Sequence, residues 1–262
     1  MCVGIYENNE LLSKAIHYAT DMHSRQLRKG TDIPYIVHPL ETMQILLSMG
    51  ADTHLLIAGV LHDVLEDTDA KAEDIVRMFG QDVCDLVQMH SEDKSLSWEA
   101  RKQHTIDSLK TGPMRYRMLV MADKVSNLRA TVRDYMALGD DVWLRFNQGR
   151  EMQSWYYSGV QDALYDMQFD SHTAPVYWEM VALYKDLFVA YYYDSEEERI
   201  YALSTHGENY VLSKSTLEWH VFNGMLRAEG AVIIPRWKAE QIEDQWVDEY
   251  ERSQSYPVPL MG

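Results

Sequence analysis

Cysteine is scarce in this chain: 262 residues include only Cys2 and Cys84. Two thiols so far apart exclude a disulfide framework and a thiolate metal site, and they fit a reducing cytoplasm. Positive charge is also in short supply, with 24 Lys and Arg against 41 Asp and Glu and a net charge of -17. Phosphate backbones and anionic lipid both call for an excess of Lys and Arg, so neither nucleic acid nor a membrane surface is expected as a partner. A small phosphorylated ligand remains open, because a compact anion needs only a few local cations. Arg25, Arg28 and Lys29 cluster against the overall trend. Long hydrophobic runs are missing too. Even Val181–Tyr193 is interrupted by Lys185 and Asp186, so no membrane span is expected. The opening residues Met1–Glu7 have neither the basic start nor the apolar stretch of a secretory signal. No internal repeat or low-complexity tract is visible.

What is present is enough apolar residue, 46% of the chain, to bury a substantial core. Leu11, Leu12, Ala15, Ile16, Ala19 and Met22 recur at helical spacing and predict a first helix that runs out at Gly30. A second begins near Pro39 and ends about Gly50. Leu55, Ala58, Val60, Leu61, Val64 and Leu65 predict a third, nearly all-apolar helix that is central and buried. Further helices are expected at 71–80, 81–90, 97–110 and from Pro113 onward, followed by two aromatic-rich helices at about 140–168 and 174–193. The acidic stretch 195–198 reads as a linker or a solvated helix start. Beyond it, Arg199–Ser204 and Val232–Pro235 read as strands, and Leu212–Glu229 and Lys238–Arg252 as helices. The expected fold class is an all-α bundle over 1–194 with a small α/β appendage over 195–262, and no catalytic motif is visible in the appendage.

Chemistry concentrates inside the third helix. His62-Asp63 interrupts its apolar run, and Glu66-Asp67 follows one turn later, so helical spacing puts four ionisable groups on one buried patch. Burial of such groups unpaired costs several kcal/mol or more for each isolated charge, roughly. A divalent cation among them resolves that cost. A single histidine on an apolar face is more often a core residue bonded to backbone; an adjacent His-Asp pair with two more carboxylates is a different matter. His38, just before a helix-starting proline, and Asp123, set among Leu119, Val120, Met121 and Ala122, are further candidates. Two imidazoles with two carboxylates suit Mn, Fe or Zn, and spacing alone does not choose the metal. Arg25, Arg28 and Lys29 read either as a solvated helix end or as phosphate contacts. Asn127, four residues after Asp123, shares its helix face and either orients that carboxylate or contacts ligand.

The ordered segments Arg25–Gly30, Pro34–Pro39, Leu61–Thr68, Phe79-Gly80 and Ala122–Arg129 resemble the hydrolase domain of the RelA/SpoT family, and more narrowly its small alarmone hydrolases. The resemblance covers about residues 10 to 160. It implies an HD-type domain in which His38, His62, Asp63 and Asp123 hold one Mn²⁺, and Glu66 and Asp67 orient and deprotonate the attacking water. It places Arg28, Lys29, Lys124 and Asn127 toward the substrate, with Arg25 in the same basic group. Tyr156 falls near a family tyrosine that lines the nucleotide pocket, although core packing is its competing reading. The implied activity is removal of the 3′-pyrophosphate from ppGpp or pppGpp without synthesis, since 195–262 is too short for a synthetase half.

One departure stands out. The family commonly follows its Phe-Gly helix with a Val-Thr pair, whereas this chain has Met89-His90-Ser91, and His90 either alters substrate fit or is a surface residue at a helix end. Two other functions stay open at this level: an HD phosphatase acting on another nucleotide such as the 2′-phosphate of NADPH, and a metal-stabilised nucleotide sensor without turnover. Self-association into a homo-oligomer is left undecided by the sequence.

Overall fold

The apolar run at 55–61 sets the architecture. In the computed structural model, which describes residues 3–205, 208–224, 226 and 230–254, this run forms the helix α3 (Thr53–Leu61), preceded in the chain by α1 (Val3–Met22) and α2 (Val37–Ser48). Asp52 caps α3 by accepting a 2.9 Å hydrogen bond from the Leu55 N–H, and Leu55 through Leu61 are all buried. A helix apolar on every side needs neighbours on every side. It finds them in α1 and α2, and in α6 (Gln81–His90) and α8 (Met114–Leu138). Each fully buried Leu or Ile there contributes roughly 1.5–3 kcal/mol.

Several helices sit where the pattern puts them: α5 (Ala72–Phe79) and α6, which meet at Gly80, and α7 (Trp98–Thr111), N-capped by Ser97. Three departures bear on the site. The first helix ends at Met22 rather than Gly30, and residues 23–36 turn back on themselves instead, with Leu27 bridging Pro34, the Arg28 N–H bonded to Ile33 O at 2.8 Å and Gly30 at φ +72°. Arg25, Arg28 and Lys29 are therefore on a turn and not on a helix end, which removes the dipole reading.

The third helix is not continuous. It stops at Leu61, and a separate single turn, α4 (Val64–Asp67), begins after Asp63, whose carbonyl accepts the Asp67 N–H at 2.9 Å. The stretch predicted as one helix over 140–168 is a 3-10 segment Gly139–Arg145, the helix α9 (Arg150–Ala163) and a 3-10 segment Tyr165–Phe169; Gly149 and Leu164 flank α9. No helix among the described residues is long and apolar enough to cross a membrane.

The last helix of the bundle, α10 (Ala174–Phe188), gives way to a strand, β1 (Val189–Asp194), where the sequence pattern had continued the helix to 193. Compact packing divides the chain between Tyr184 and Lys185, so β1 belongs with the C-terminal unit. That unit is a five-stranded antiparallel sheet in the order β4-β3-β2-β1-β5, formed by β1, β2 (Arg199–Ser204), β3 (Tyr210–Ser213), β4 (Trp219–Val221) and β5 (Ala231–Ile234). The helix α11 (Arg236–Gln254) covers it, and Tyr191, Ile200, Leu212, Ile242 and Trp246 form its core. The acidic stretch at 195–198 is the β1–β2 turn, where Asp194 Oδ1 accepts the N–H groups of Glu196 and Glu197. The helix expected over 212–229 is absent from its described part, which holds the end of β3 and all of β4; residues 225 and 227–229 of that expectation lie outside the described residues.

Candidate metal centre

The break after Leu61 is what opens the site. His62, at the end of α3, is fully buried, and its Nδ1 lies 2.8 Å from the Gly59 carbonyl. A carbonyl only accepts, so the ring proton is on Nδ1 and the Nε2 lone pair is left facing inward. His38 on α2 is held alike. Its Nδ1 lies 2.8 Å from Ser126 Oγ, and that hydroxyl donates to Glu41 Oε2 at 2.7 Å, so Nδ1 carries the proton and Nε2 again points inward. The two Nε2 atoms stand 3.2 Å apart with lone pairs toward each other.

Two carboxylates face the same point. Asp63 Oδ2 is 3.0 Å from His62 Nε2 and 3.6 Å from His38 Nε2; Asp123 Oδ1 on α8 is 3.2 Å from His38 Nε2 and 3.8 Å from His62 Nε2. Opposed lone pairs and two anions in a buried pocket repel one another unless positive charge sits among them. Ligand atoms about 3–4 Å apart are what a divalent ion with bonds near 2.1 Å requires, roughly. The donor set and its spacing therefore fit a divalent cation, and His38, His62 and Asp123 form a buried trio suited to one.

The electrostatics agree. Burial pushes the His38 imidazole below its ordinary value, which keeps its nitrogen available as a ligand. Burial acts on His62 the same way, but the Asp63 carboxylate outweighs it and raises the group to about 9, so this ring holds a proton unless another cation supplies the charge. Burial works against ionisation of Asp123, and the Lys124 ammonium together with the His38 and His90 side chains more than offsets this, keeping the carboxyl well below the usual range. Lys124 Nζ donates to Asp123 Oδ2 at 2.7 Å. Asn127 donates from Nδ2 to Asp123 Oδ1 at 2.6 Å, while its own Oδ1 accepts from Arg28 Nη2 at 2.9 Å. Asn127 thus orients the carboxylate and ties it to the basic turn.

Glu66 and Asp67 do not share the buried patch that an unbroken helix would give them. Exposure of the side chains climbs from 0% at His62 through 14% at Asp63 and 22% at Glu66 to 36% at Asp67. With α4 separate from α3, the pair lies nearer the surface than the two ligand candidates before it. Glu66 lines the metal chamber, a cavity of about 130 Å³, and accepts from the Glu92 N–H at 3.3 Å; burial raises its pKa. Asp67 lies outside that lining and pairs with Lys94 at 3.1 Å.

A second cavity of about 290 Å³ adjoins the first, and Lys102, Lys124 and Asn127 line both. Arg28, Lys29, Lys102, Lys124, Arg133 and Arg145 bring cations to its wall. Tyr35, Trp98, Tyr156 and Tyr157 bring aromatic surface. Lys102 Nζ lies 5.0 Å and Lys124 Nζ 5.5 Å from the Tyr156 ring centroid, and the Tyr156 hydroxyl is buried with no hydrogen-bond partner. Tyr156 is thus a packing residue and a wall residue at once. Arg25 is exposed and is not part of either lining.

Sequence reasoning passed over Tyr35, Glu92 and Lys102, and of its two readings of His90 the surface residue at a helix end does not hold, since the side chain lines the metal chamber. Tyr35 donates to Asp63 Oδ2 at 2.6 Å, and Glu92 accepts from Lys102 at 2.6 Å and from Arg101 at 2.9 Å. Lys102 sits mid-helix in α7 with no local signal, so only the packing of α7 reveals it. Tyr35 lies between Pro34 and His38, and its neighbourhood was the available signal.

Comparison with known proteins agrees with this geometry. The HD domain family matches residues 15–149. The guanosine-3′,5′-bis(diphosphate) 3′-pyrophosphohydrolase MESH1 of Drosophila melanogaster is 40% identical over 120 residues, 44% of this chain and 66% of the relative. That of Xenopus tropicalis is 37% identical over 122 residues, 45% of this chain and 68% of the relative. Among solved structures, a metazoan ortholog of SpoT that hydrolyzes ppGpp superposes with a TM-score of 0.55 at 28% identity, covering 66% of this chain and 93% of that one. The chain therefore spans about two thirds of the length of its metazoan relatives in sequence. From the two inward-facing imidazoles, the carboxylates that meet them and these matches together, this chain belongs to the HD domain family, alongside the metazoan ppGpp 3′-pyrophosphohydrolases.

Proposed function

We propose that this chain hydrolyses the 3′-pyrophosphate of ppGpp or pppGpp, giving GDP or GTP and pyrophosphate, as a cytoplasmic enzyme that uses one Mn²⁺. The observation that carries this reading is the pair of adjoining cavities. A chamber fit for a divalent ion opens onto one lined with cations and aromatic rings, in a chain whose net charge is -17. Basic residues concentrated against that background serve an anion, and flat aromatic surface suits a base. The names of the metazoan relatives point to the same substrate.

His38, His62, Asp63 and Asp123 would hold the ion, which when bound would lower the pKa of the attacking water. The chain's own groups do the rest. Glu66, lining the chamber and raised by burial, takes the proton from the attacking water. A new oxygen–phosphorus bond forms at the phosphorus attached to the ribose 3′-oxygen, the bond to that oxygen breaks, the 3′-oxygen leaves with a proton taken from solvent, and Glu66 returns its own proton to solvent. Lys102 and Lys124 flank the junction of the cavities and offset the charge that grows on the phosphoryl oxygens, while Arg28 and Lys29 grip the distal phosphates. Asp67, held by Lys94, keeps the Glu-Asp turn in place.

A product-resolved assay tests the proposal. Protein loaded with Mn²⁺ and offered ppGpp and NADPH in parallel should release pyrophosphate from ppGpp and little orthophosphate from NADPH. Rapid orthophosphate release from NADPH with ppGpp untouched rejects the substrate, and tight ppGpp binding with no product over hours rejects turnover.

A further inference from the structure

His90 is the side chain at this centre that the proposed reaction leaves unused. It is the last residue of α6, where a histidine commonly faces solvent near the helix C-terminus. Here it faces inward, with its side chain only 8% exposed. Its Nε2 lies 3.4 Å from Asp123 Oδ2, and its ring stands edge-on to the His62 ring with centroids 5.0 Å apart at 83°. It lines the same chamber as His38, Asp63 and Asp123.

A hydrogen bond to Asp123 does not account for this placement. At 3.4 Å the contact is long for a histidine–carboxylate bond, and Asp123 Oδ2 already accepts from Lys124 at 2.7 Å. The other ring nitrogen, Nδ1, is buried and has no hydrogen-bond partner. Meanwhile His62, Asp63 and His90 each offer a ligand atom, all within 4.8 Å of one another, and this trio shares His62 with the trio of His38, His62 and Asp123. The two sets meet at the His62 imidazole, and His38, Asp63, His90 and Asp123 line one chamber around it.

We infer that His90 is a fifth protein ligand of the same divalent ion, making the shell three imidazoles and two carboxylates. The inference rests on the metal reading above and deepens it. Five protein ligands leave one position on a six-coordinate ion, enough for a single water or phosphoryl oxygen. A third nitrogen also tilts preference toward Zn, Fe, Co or Ni relative to Mn, because imidazole suits the former group and oxygen donors suit Mn. His90 is also the position at which the sequence departs from the Val-Thr pair of the family it resembles.

The test compares wild type with His90→Val and His90→Gln, each stripped with chelator and reloaded with Mn²⁺ or Co²⁺ alone. Pulsed electron paramagnetic resonance on the Mn²⁺ protein counts coordinated imidazoles; three are expected in wild type and two in both variants. Titration should give one ion per chain, with Co²⁺ affinity falling tenfold or more in the variants and Mn²⁺ affinity falling less. Two imidazoles in wild type, or equal affinities across the three proteins, overturns the role of His90 and leaves the four-ligand centre intact. A stoichiometry of two ions overturns the single shell. Wild type that binds no ion overturns the metal centre itself, a distinct outcome. The imidazole count on wild type needs no variant, so a variant that fails to fold does not spare the inference.

Discussion

Glu66 and Asp63 lie three residues apart and lead to opposite expectations. Asp63 meets the His38 and His62 imidazoles, so Asp63→Ala should abolish metal binding and destabilise the bundle by roughly 3–5 kcal/mol, the range for leaving buried charge uncompensated. Metal analysis and urea unfolding read both effects. Glu66 touches no ligand atom, so Glu66→Gln should retain metal while kcat falls about 10²–10⁴-fold, the usual worth of a positioned base. Metal content that drops with kcat would move Glu66 into the ligand set, and an unchanged kcat would remove it from the mechanism.

Its pKa adds a pH signature. Burial raises the Glu66 carboxyl, and a base works only when ionised, so activity should rise with pH through a range above that of an ordinary glutamate. The Gln variant should lose that acid limb from its pH–rate profile; a limb of the same position in both proteins assigns it elsewhere.

Among elements, the joint between α5 and α6 is the clearest case of backbone dictating residue. Gly80 has φ 92° and ψ 165°, a region that side-chain-bearing residues essentially never occupy, yet a Cβ added there would meet nothing within 4 Å. Gly80→Ala should therefore cost about 1–3 kcal/mol through backbone strain alone. Thermal unfolding checks this, and a loss much below 1 kcal/mol would show that the joint relaxes.

Sequence legibility also divides by element. The four ligand candidates were readable because each is a polar residue inside, or at the end of, an apolar helical run, where burial demands a reason. The break at His62-Asp63 was not, since Val64 and Leu65 extend the helical spacing of Leu61 and hide the turn. Lys102 has no such local mark and reaches the site only through the packing of α7; His90 was marked as a departure, but nothing local showed that it faces inward. The switch from α10 to β1 was missed for a related reason. Val189–Tyr193 prolongs an apolar run whose periodicity fits a buried helix, and its β-branched and aromatic content, which favours a strand, was the signal to weigh.

At the scale of the molecule, the cationic cavity lies within an acidic chain, and this contrast has measurable effects. Added salt screens the attraction between substrate phosphates and Arg28, Lys29, Lys102 and Lys124, so KM should rise with ionic strength while kcat changes little. A flat KM would show that these side chains do not hold the anion. Chelation should lower Tm, because an ion bound only to the folded state stabilises it by about 2.7 kcal/mol when present at 100 times its Kd. Asp63→Ala, having no site to empty, should show no chelator effect.

Lys124 belongs to both cavities: its ammonium grips Asp123 and overhangs Tyr156. A nucleotide phosphate that draws this ammonium toward itself frees negative charge on Asp123 for the ion, so the two guests tighten one another, and by reciprocity the factor is the same whichever arrives first.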